Sequence, residues 1–574
     1  MKKINILFLL LMTTGSLSAQ SYYEKRVYNQ NSNEDGDLDL KDLCIGRNVV
    51  DSDLFTTGDY DFHQLNDTTV NKIVFTRHDG NGVRLVAKDY ELLDSQDQPF
   101  DAYSNSLLQV KDSSAFILVG KVANNNFYQS QANSGGDVLL LKLDADGNTL
   151  AKKRVDLKGD DVAWSIKPSV YNANNYIVCG SVIDSLGIST GFVMEIDNSL
   201  NINWLTELDL DISTSDPSSC ELYDLVSDGS NVWAVGKIKK VGATNTDGLV
   251  VKLSSSNGAY ITSRRVFARN TDKEWFRHVE MDGDDLIIAG QIIRGKTTIK
   301  RRMLALQYDV STNSVGNALW LNSGLNEDSG RDIISSSASG SLEYYVVGEA
   351  FPTVGNNRGV FYQLDNTFTP QTHKQFGGIR NSGIMAIDIY EVSGLGDFIG
   401  MSGFYRGLDN DGYLLKTDFR GDSGCEDSVE VSYQSIDFST GTLLDSIDTV
   451  YTTYNINYSE DTLIDSLICS YDEARQSWKQ LNESETMSFN SLLMYPNPLD
   501  SPLLMVQISE KRSIRELILR NSTGQVVLKR TVSGDQSKDQ LNVGELPSGI
   551  YQLTVMMEDE FGHVESLSSR FIIE

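Results

Sequence analysis

From about residue 55 to residue 420 the apolar positions fall in short runs, separated by clusters of Gly, Asn, Asp and Ser. No stretch keeps the i, i+3, i+4 spacing of an amphipathic helix, so the pattern predicts short strands joined by turns. One apolar run ends in glycine and recurs. Its copies are Phe116-Ile117-Leu118-Val119-Gly120, Tyr176-Ile177-Val178-Cys179-Gly180, Val232-Trp233-Ala234-Val235-Gly236 and Leu286-Ile287-Ile288-Ala289-Gly290, then Tyr344-Tyr345-Val346-Val347-Gly348 and Phe398 to Gly403. The glycines step by 60, 56, 54, 58 and 55 residues. A second apolar run ends near an aspartate, at Asp89, Asp144, Asp197, Ser254, Asp309, Asp365 and Asp418, with steps of 55, 53, 57, 55, 56 and 53.

Two independent anchors with one period define a repeat. Four strands of about 5–6 residues with their turns need roughly 50 residues, the size of a propeller blade. The aspartate anchor counts seven units and the clear glycine anchors count six, with Gly58 in Thr56-Thr57-Gly58-Asp59-Tyr60 as the missing first copy. The expectation is an all-β chain with a seven-bladed β-propeller over residues 48–424. A ring must close or leave an exposed edge, so an early strand should complete the last blade. Trp204 and Trp320, each just past an aspartate anchor, are expected to pack between blades. The units resemble, loosely, the aspartate-glycine-tryptophan propeller repeats of large secreted bacterial proteins, a resemblance that implies no activity.

Outside the repeat, residues 20–47 read as an acidic N-terminal segment and residues 425–492 as a small β-rich connector and linker. In the latter, Ser470 with Glu473 suggests a capping box before a short helix reaching Leu481. The five cysteines (Cys44, Cys179, Cys220, Cys425 and Cys469) match neither a zinc site nor a dense disulfide scaffold. Cys425 and Cys469 are spaced to close a loop, and Cys179 reads as a small buried hydrophobe.

The two ends carry an address. Lys2 and Lys3, the apolar run Ile6 to Met12 and the small residues Ser16-Leu17-Ser18-Ala19 form a secretory signal peptide over residues 1–19, too short to span a bilayer. At the other end, Tyr495-Pro496-Asn497-Pro498 precedes Asn521 to Val527 with Gly524, then Leu546-Pro547-Ser548-Gly549-Ile550-Tyr551 and the terminal β-pattern Arg570 to Ile573. This order resembles the type A C-terminal sorting domain of the bacterial type IX secretion system, over residues 493–574. The resemblance implies a small β-sandwich in which Tyr495, Pro496, Asn497, Pro498, Gly524, Gly549 and Tyr551 belong to the sorting signal. It also implies recognition by the type IX secretion machinery, delivery outside the cell or to the cell surface at the outer membrane, and attachment to surface lipopolysaccharide as a common fate. No later segment approaches the apolar length of a membrane helix.

Loss of Lys2 and Lys3 with the signal leaves 47 basic against 79 acidic side chains, a formal charge of −32. Such a chain repels phosphate backbones and anionic lipid, which argues against nucleic acid as a partner. The best local motif for chemistry runs from Asn31 to Asp42. Asn31, Asn33, Asp35, Asp39 and Asp42 supply oxygens at positions 1, 3, 5, 9 and 12, with Gly36 at the sharp turn. It resembles the calcium loop of dockerin-like modules, so calcium is the one cofactor the sequence suggests. The alternative is an acidic N-terminal segment without metal. Asp144-Ala145-Asp146-Gly147 and Asp409-Asn410-Asp411-Gly412 are better explained as hairpin turns.

No catalytic residue is nominated. His63, His78, His278, His373 and His563 are isolated, and nucleophile-elbow, phosphate-loop, dinucleotide and sialidase Asp-box patterns do not occur. The expected function is therefore an exported β-propeller that binds a glycan or a protein. The alternative is an extracellular polysaccharide-degrading enzyme, which requires axial carboxylates about 5–10 Å apart.

Overall fold

The computed structural model describes residues 21–472 and 492–573. It leaves out segments 29–35, 48–51, 64–68, 94–98, 112–114, 124–134, 211–218, 240–242, 295–299, 338–340, 353–354, 378–380, 392–396, 407–409, 424–426, 429–431, 443–444, 449–451, 455–456, 496–502, 509–511, 522–524, 533–537, 544–545, 560–563 and the single positions 158, 185, 244, 270, 437, 463 and 548. It divides into two compact units, residues 1–480 and 481–574.

In the first unit, seven antiparallel sheets follow one another along the chain in a propeller-like ring. Their innermost strands are, in order, Gly36–Ile45, Pro99–Gln109, Asp160–Pro168, Ser219–Ser227, Lys273–Asp282, Glu327–Ser336 and Asn381–Tyr390. Each is followed by three more strands moving outwards, except that sheet 7 takes its fourth strand, Ser21–Tyr28, from the beginning of the chain, paired with Asn410–Thr417. The ring is thus closed by an early strand, as the edge argument requires. Each seam between neighbouring sheets is filled by an apolar layer. Burial on both faces is why Val138 to Leu141 and Ile287 to Ala289 read as unbroken apolar runs.

The glycine anchor has a geometric cause. Every innermost strand carries a β-bulge, at Lys41, Asn105, Trp164, Tyr223, Arg277, Arg331 and Met385 in turn. Beside each bulge, on the second strand, lies an anchor glycine. A Cβ there would sit 1.8–2.1 Å from a carbonyl oxygen of the innermost strand at Gly58, Gly120, Gly180, Gly236, Gly290, Gly348 and Gly403. Gly58 is therefore the seventh copy. The aspartate anchor caps the hairpin between the third and fourth strands: Asp144 Oδ1 accepts the Asp146 and Asn148 N–H groups at 2.9 and 2.8 Å. Asp79, Asp197, Asp365 and Asp418 accept from the same two positions, i+2 and i+4; in sheet 1 the cap is thus Asp79, and Asp89, the first copy expected from sequence, stands instead within the fourth strand. Asp144-Ala145-Asp146-Gly147 is such a turn, with Gly147 at φ +74°.

Two segments differ from the expectation. Residues 20–47 are not a separate acidic segment, since they supply the outer strand of sheet 7 and the innermost strand of sheet 1. The apolar alternation of Leu38, Leu40, Leu43 and Ile45, all buried, is masked in the sequence by the acids between them. The first part of the expected connector is a belt. Asp427–Ser428, Ser432–Ser435, Ser439–Thr442, Asp445–Asp448, Thr452–Tyr454, Asn457–Thr462 and Ile464–Asp472 add one outer strand each to sheets 6, 5, 4, 3, 2, 1 and 7. The chain travels once round the ring in reverse. Pairing with an exposed edge needs only backbone N–H and C=O groups, which leave little trace in sequence. Ser470, the expected helix cap, instead stands on the last belt strand, paired with Tyr23, while Cys425 and residues 473–481 lie outside the described residues.

In the second unit, Leu492–Tyr495, Leu503–Ile508 and Lys538–Asn542 form one sheet, and Arg512–Asn521, Val526–Thr531, Gly549–Asp559 and Val564–Ile573 another. Leu504, Val506 and Leu541 from the first share a core with Leu517, Leu519, Leu553 and Val555 from the second.

Candidate functional site

The bulges place two residues of each innermost strand opposite one residue of its neighbour, and so re-aim side chains at the centre of the ring. The bulged residues form one tier, rich in cations and aromatic rings: Lys41, Trp164, Tyr223, Arg277 and Arg331. The residues that follow them form a second tier, rich in acids: Asp42, Ser106, Ser165, Asp224, His278, Asp332 and Ala386.

This tier, with Glu280 and Asp388 two residues further along their strands, holds the ring together. A carboxylate on one sheet accepts a backbone N–H from the next at five of the seven seams: Asp42 from Leu107 at 2.7 Å, Asp224 from Val279 at 2.8 Å, Glu280 from Ser335 at 2.6 Å, Asp332 from Ile387 at 2.9 Å and Asp388 from Ile45 at 2.7 Å. Ser106 accepts from Ile166 at 3.4 Å, and the Ser165 hydroxyl donates to Asp224 at 2.5 Å, which serve the other two seams. His278 Nδ1 lies 3.0 Å from Asp224 Oδ2 and 2.9 Å from Asp332 Oδ1, joining sheets 4, 5 and 6. Burial alone would lower the His278 pKa, but the two carboxylates raise it. Asp332 is held below the usual carboxylate range, against its burial, by His278 and Lys167. Asp42 and Glu280, buried with fewer opposing charges, are pushed up to about 6 and about 7.

The bulge tier is differently occupied. Arg331 Nη2 pairs with Glu349 at 2.6 Å, and Lys41 with Asp39 at 3.3 Å and Asp59 at 3.9 Å. Trp164 meets Tyr223 edge-on at 5.6 Å, and Lys237, paired with Glu221 at 3.0 Å, lies 5.1 Å from the Trp275 ring centre. The Arg277 guanidinium sits over the rings of Tyr223 at 4.4 Å and Trp275 at 5.4 Å. Its Nε is buried without a hydrogen bond, and among the described residues it makes no ion pair. Arg331 opposes the charge of both Arg277 and Lys41, so the three cations feel one another across the ring.

The sites expected from sequence fare unevenly. Asn31, Asn33 and Asp35 lie outside the described residues. Asp39 and Asp42 stand on the innermost strand of sheet 1, in register with Leu54–His63, rather than in a loop. Both are engaged within the ring, Asp39 by Lys41 and Asp42 by Leu107. Pro496, Asn497, Pro498 and Gly524 are likewise outside the described residues. Tyr495 and Gly549 lie on strands, and the buried Tyr551 donates its hydroxyl to Pro547 O at 2.7 Å. Cys179 is fully buried and Trp204 packs against the apolar layer between sheets 3 and 4, as expected. The bulge tier went unpredicted. Its only sequence signal is its place, on the strand preceding each anchor glycine.

Residues 493–573 match the family described as the secretion system C-terminal sorting domain. The chain carries that sorting domain and is a secreted or cell-surface protein, recognised by the type IX secretion machinery. No helix among the described residues is long and apolar enough to cross a membrane. None of the curated proteins matches the chain. Among solved structures it is similar to the subtype N11 neuraminidase-like protein of A/flat-faced bat/Peru/033/2010 (H18N11), at 12% identity and a TM-score of 0.34, over 55% of this chain and 87% of that one. It is also similar to the extracellular domain of a putative one-component system from B. thetaiotaomicron, at 11% identity and a TM-score of 0.17, over 93% of this chain and 85% of that one. At these scores no property passes from either protein to this chain.

Proposed function

We propose that this exported chain is a non-catalytic, seven-bladed β-propeller that binds an anionic glycan at the bulge tier of its axis. One observation carries the reading: a guanidinium, Arg277, laid across Tyr223 and Trp275 without an ion-pair partner among the described residues. Aromatic faces suit the apolar faces of sugar rings, and a guanidinium takes a carboxylate or sulfate through two parallel hydrogen bonds. In a chain of formal charge −30, a group of cations at the axis favours an anionic ligand over a neutral one.

The acids below support an enzymatic reading in one respect only. The Asp224 and Asp332 oxygens that share His278 lie no more than about 6 Å apart, close enough for the two carboxyls to act as a pair. Both oxygens of each carboxylate are, however, already held by fixed donors: Ser165, Val279 and His278 for Asp224; Ile333, Ile387 and His278 for Asp332. A general acid or nucleophile needs an oxygen turned to substrate. The test is an array of uronate-bearing, sulfated and neutral glycans probed with the full chain and its Arg277→Ala variant. Selective binding of acidic glycans that the variant loses supports the reading. Binding of neutral glycans alone, or retention by the variant, contradicts it, and release of reducing ends from a bound glycan moves the protein to the enzymes.

A further inference from the structure

A second group of acids stands away from the axis, in the seam between sheets 2 and 3. Asp137 opens the third strand of sheet 2, Asp156 ends its fourth, and Asp161 is the second residue of the innermost strand of sheet 3. One oxygen from each lies within 4.8 Å of the others. Asp137 and Asp161 are 3% and 0% exposed, while Asp156 is half-buried. Asp161 Oδ2 accepts the Leu157 N–H, but its Oδ1 is buried with no hydrogen-bond partner in the structure. Arg154 donates to Asp137. Leaving a carboxylate oxygen dry and unbonded costs far more than leaving it in water.

The repeat shows what belongs at this place. Leu139 pairs with anchor Gly120 and Leu304 with anchor Gly290, so Asp137 in sheet 2 corresponds to Arg302 in sheet 5. Asp161 and Asp328 likewise correspond, two residues before the partners of Gly180 and Gly348. In the seam between sheets 5 and 6, the Arg302 guanidinium lies 3.5 Å from Asp328 Oδ2. That oxygen, like Asp161 Oδ1, makes no hydrogen bond, but a side-chain cation lies beside it there. Between sheets 4 and 5 the same positions hold Asp247, Arg265, Glu274 and, in place of Asp156, the apolar Phe267. The seam between sheets 2 and 3 thus has an acid, Asp137, where the 5–6 seam has Arg302, and a further acid, Asp156, where the 4–5 seam has Phe267.

We propose that Asp137, Asp156 and Asp161 bind a divalent cation, calcium by its chemistry, which locks sheet 2 to sheet 3. Each of the three carboxylates offers one hard oxygen to a common point, and half-buried Asp156 leaves a side open for water ligands. The alternative to a metal is a proton: burial first, then the neighbouring acids, push Asp161 up to about 8, and burial pushes Asp137 up to about 6.

The test is calorimetric titration of calcium into the chelator-treated full chain, with thermal melting in calcium and in chelator. The wild type should bind calcium and melt several degrees higher with it. Asp161→Asn and Asp156→Asn should each weaken binding more than about tenfold, because ligand charge sets calcium affinity, and should lose the calcium-dependent shift. An Asn31→Ala/Asp35→Ala variant should keep both. Absence of calcium binding by the wild type, an undiminished shift in the Asp161 and Asp156 variants, or its loss only in the Asn31/Asp35 variant would each overturn the proposal.

Discussion

A methyl group at Gly236 would have to occupy space 1.8 Å from the Glu221 carbonyl oxygen, and backbone on both sides prevents either from yielding. Gly236→Ala should therefore cost about 3 kcal/mol, the upper end of ordinary overpacking. Gly316→Ala is the control: its Cβ would meet nothing closer than 3.6 Å, on an exposed strand position, so the change should stay within about 0.5 kcal/mol. Denaturant unfolding of the two variants distinguishes a geometric need for glycine from a tolerance of it. These anchors were legible in the sequence because the backbone at each admits almost no alternative residue. The capping aspartates were legible for the same reason, each satisfying two N–H groups of its own turn. The side chains that face the axis were not. Lys41, Trp164, Tyr223, Arg277 and Arg331 share a position but no one residue type, and the contacts that group them, Trp164 with Tyr223 and Tyr223 with Arg277, join different repeats, more than fifty residues apart.

Elements were legible in proportion to how much of their stability comes from side chains. The second and third strands of each sheet announce themselves because both faces are buried. The belt does not, since an added outer strand contributes backbone hydrogen bonds and little apolar surface. Ile436 and Phe438, packed against the layer between sheets 4 and 5, are its visible trace. A chain ending at residue 424 should expose the fourth-strand edges that one ending at residue 480 covers. The shorter chain is expected to show fast amide exchange along Thr149–Asp156 and Tyr260–Phe267, and to self-associate through those edges. Equal protection of those amides in both chains would mean that the belt is ornamental.

Across the whole molecule the buried acids set the pH dependence. Asp161 and Glu274 are raised to about 8, Glu280 to about 7, and Asp42, Asp137 and Asp328 to about 6, burial being the first cause in each. Between roughly pH 4 and 8 the native state then binds more protons than the unfolded chain, and stability falls as pH rises. His278, whose pKa is raised, acts in the same sense: its contribution is present below about pH 6.5 and lost as pH climbs through the folded value. Below about pH 4 the sign reverses, because Asp197, Asp309 and Asp365 are held low by their turns and lose that stabilisation on protonation. Calorimetry in chelator should show the highest melting temperature near pH 4–5 and a decline towards pH 8. Export belongs to this scale as well: a chain lacking residues 493–573 should remain in the periplasm. The axis joins the scales, since one ring of bulges is asked to bind a ligand while the ring beside it holds the sheets together. The most direct measurement is acidic-glycan affinity and melting temperature for Arg277→Ala and Asp332→Asn, side by side. The account predicts that Arg277→Ala loses binding at an almost unchanged melting temperature, and that Asp332→Asn is destabilised by about 3 kcal/mol through loss of a buried ionic partner. A stable Asp332→Asn protein, or an Arg277→Ala protein that binds as well as the wild type, would contradict it.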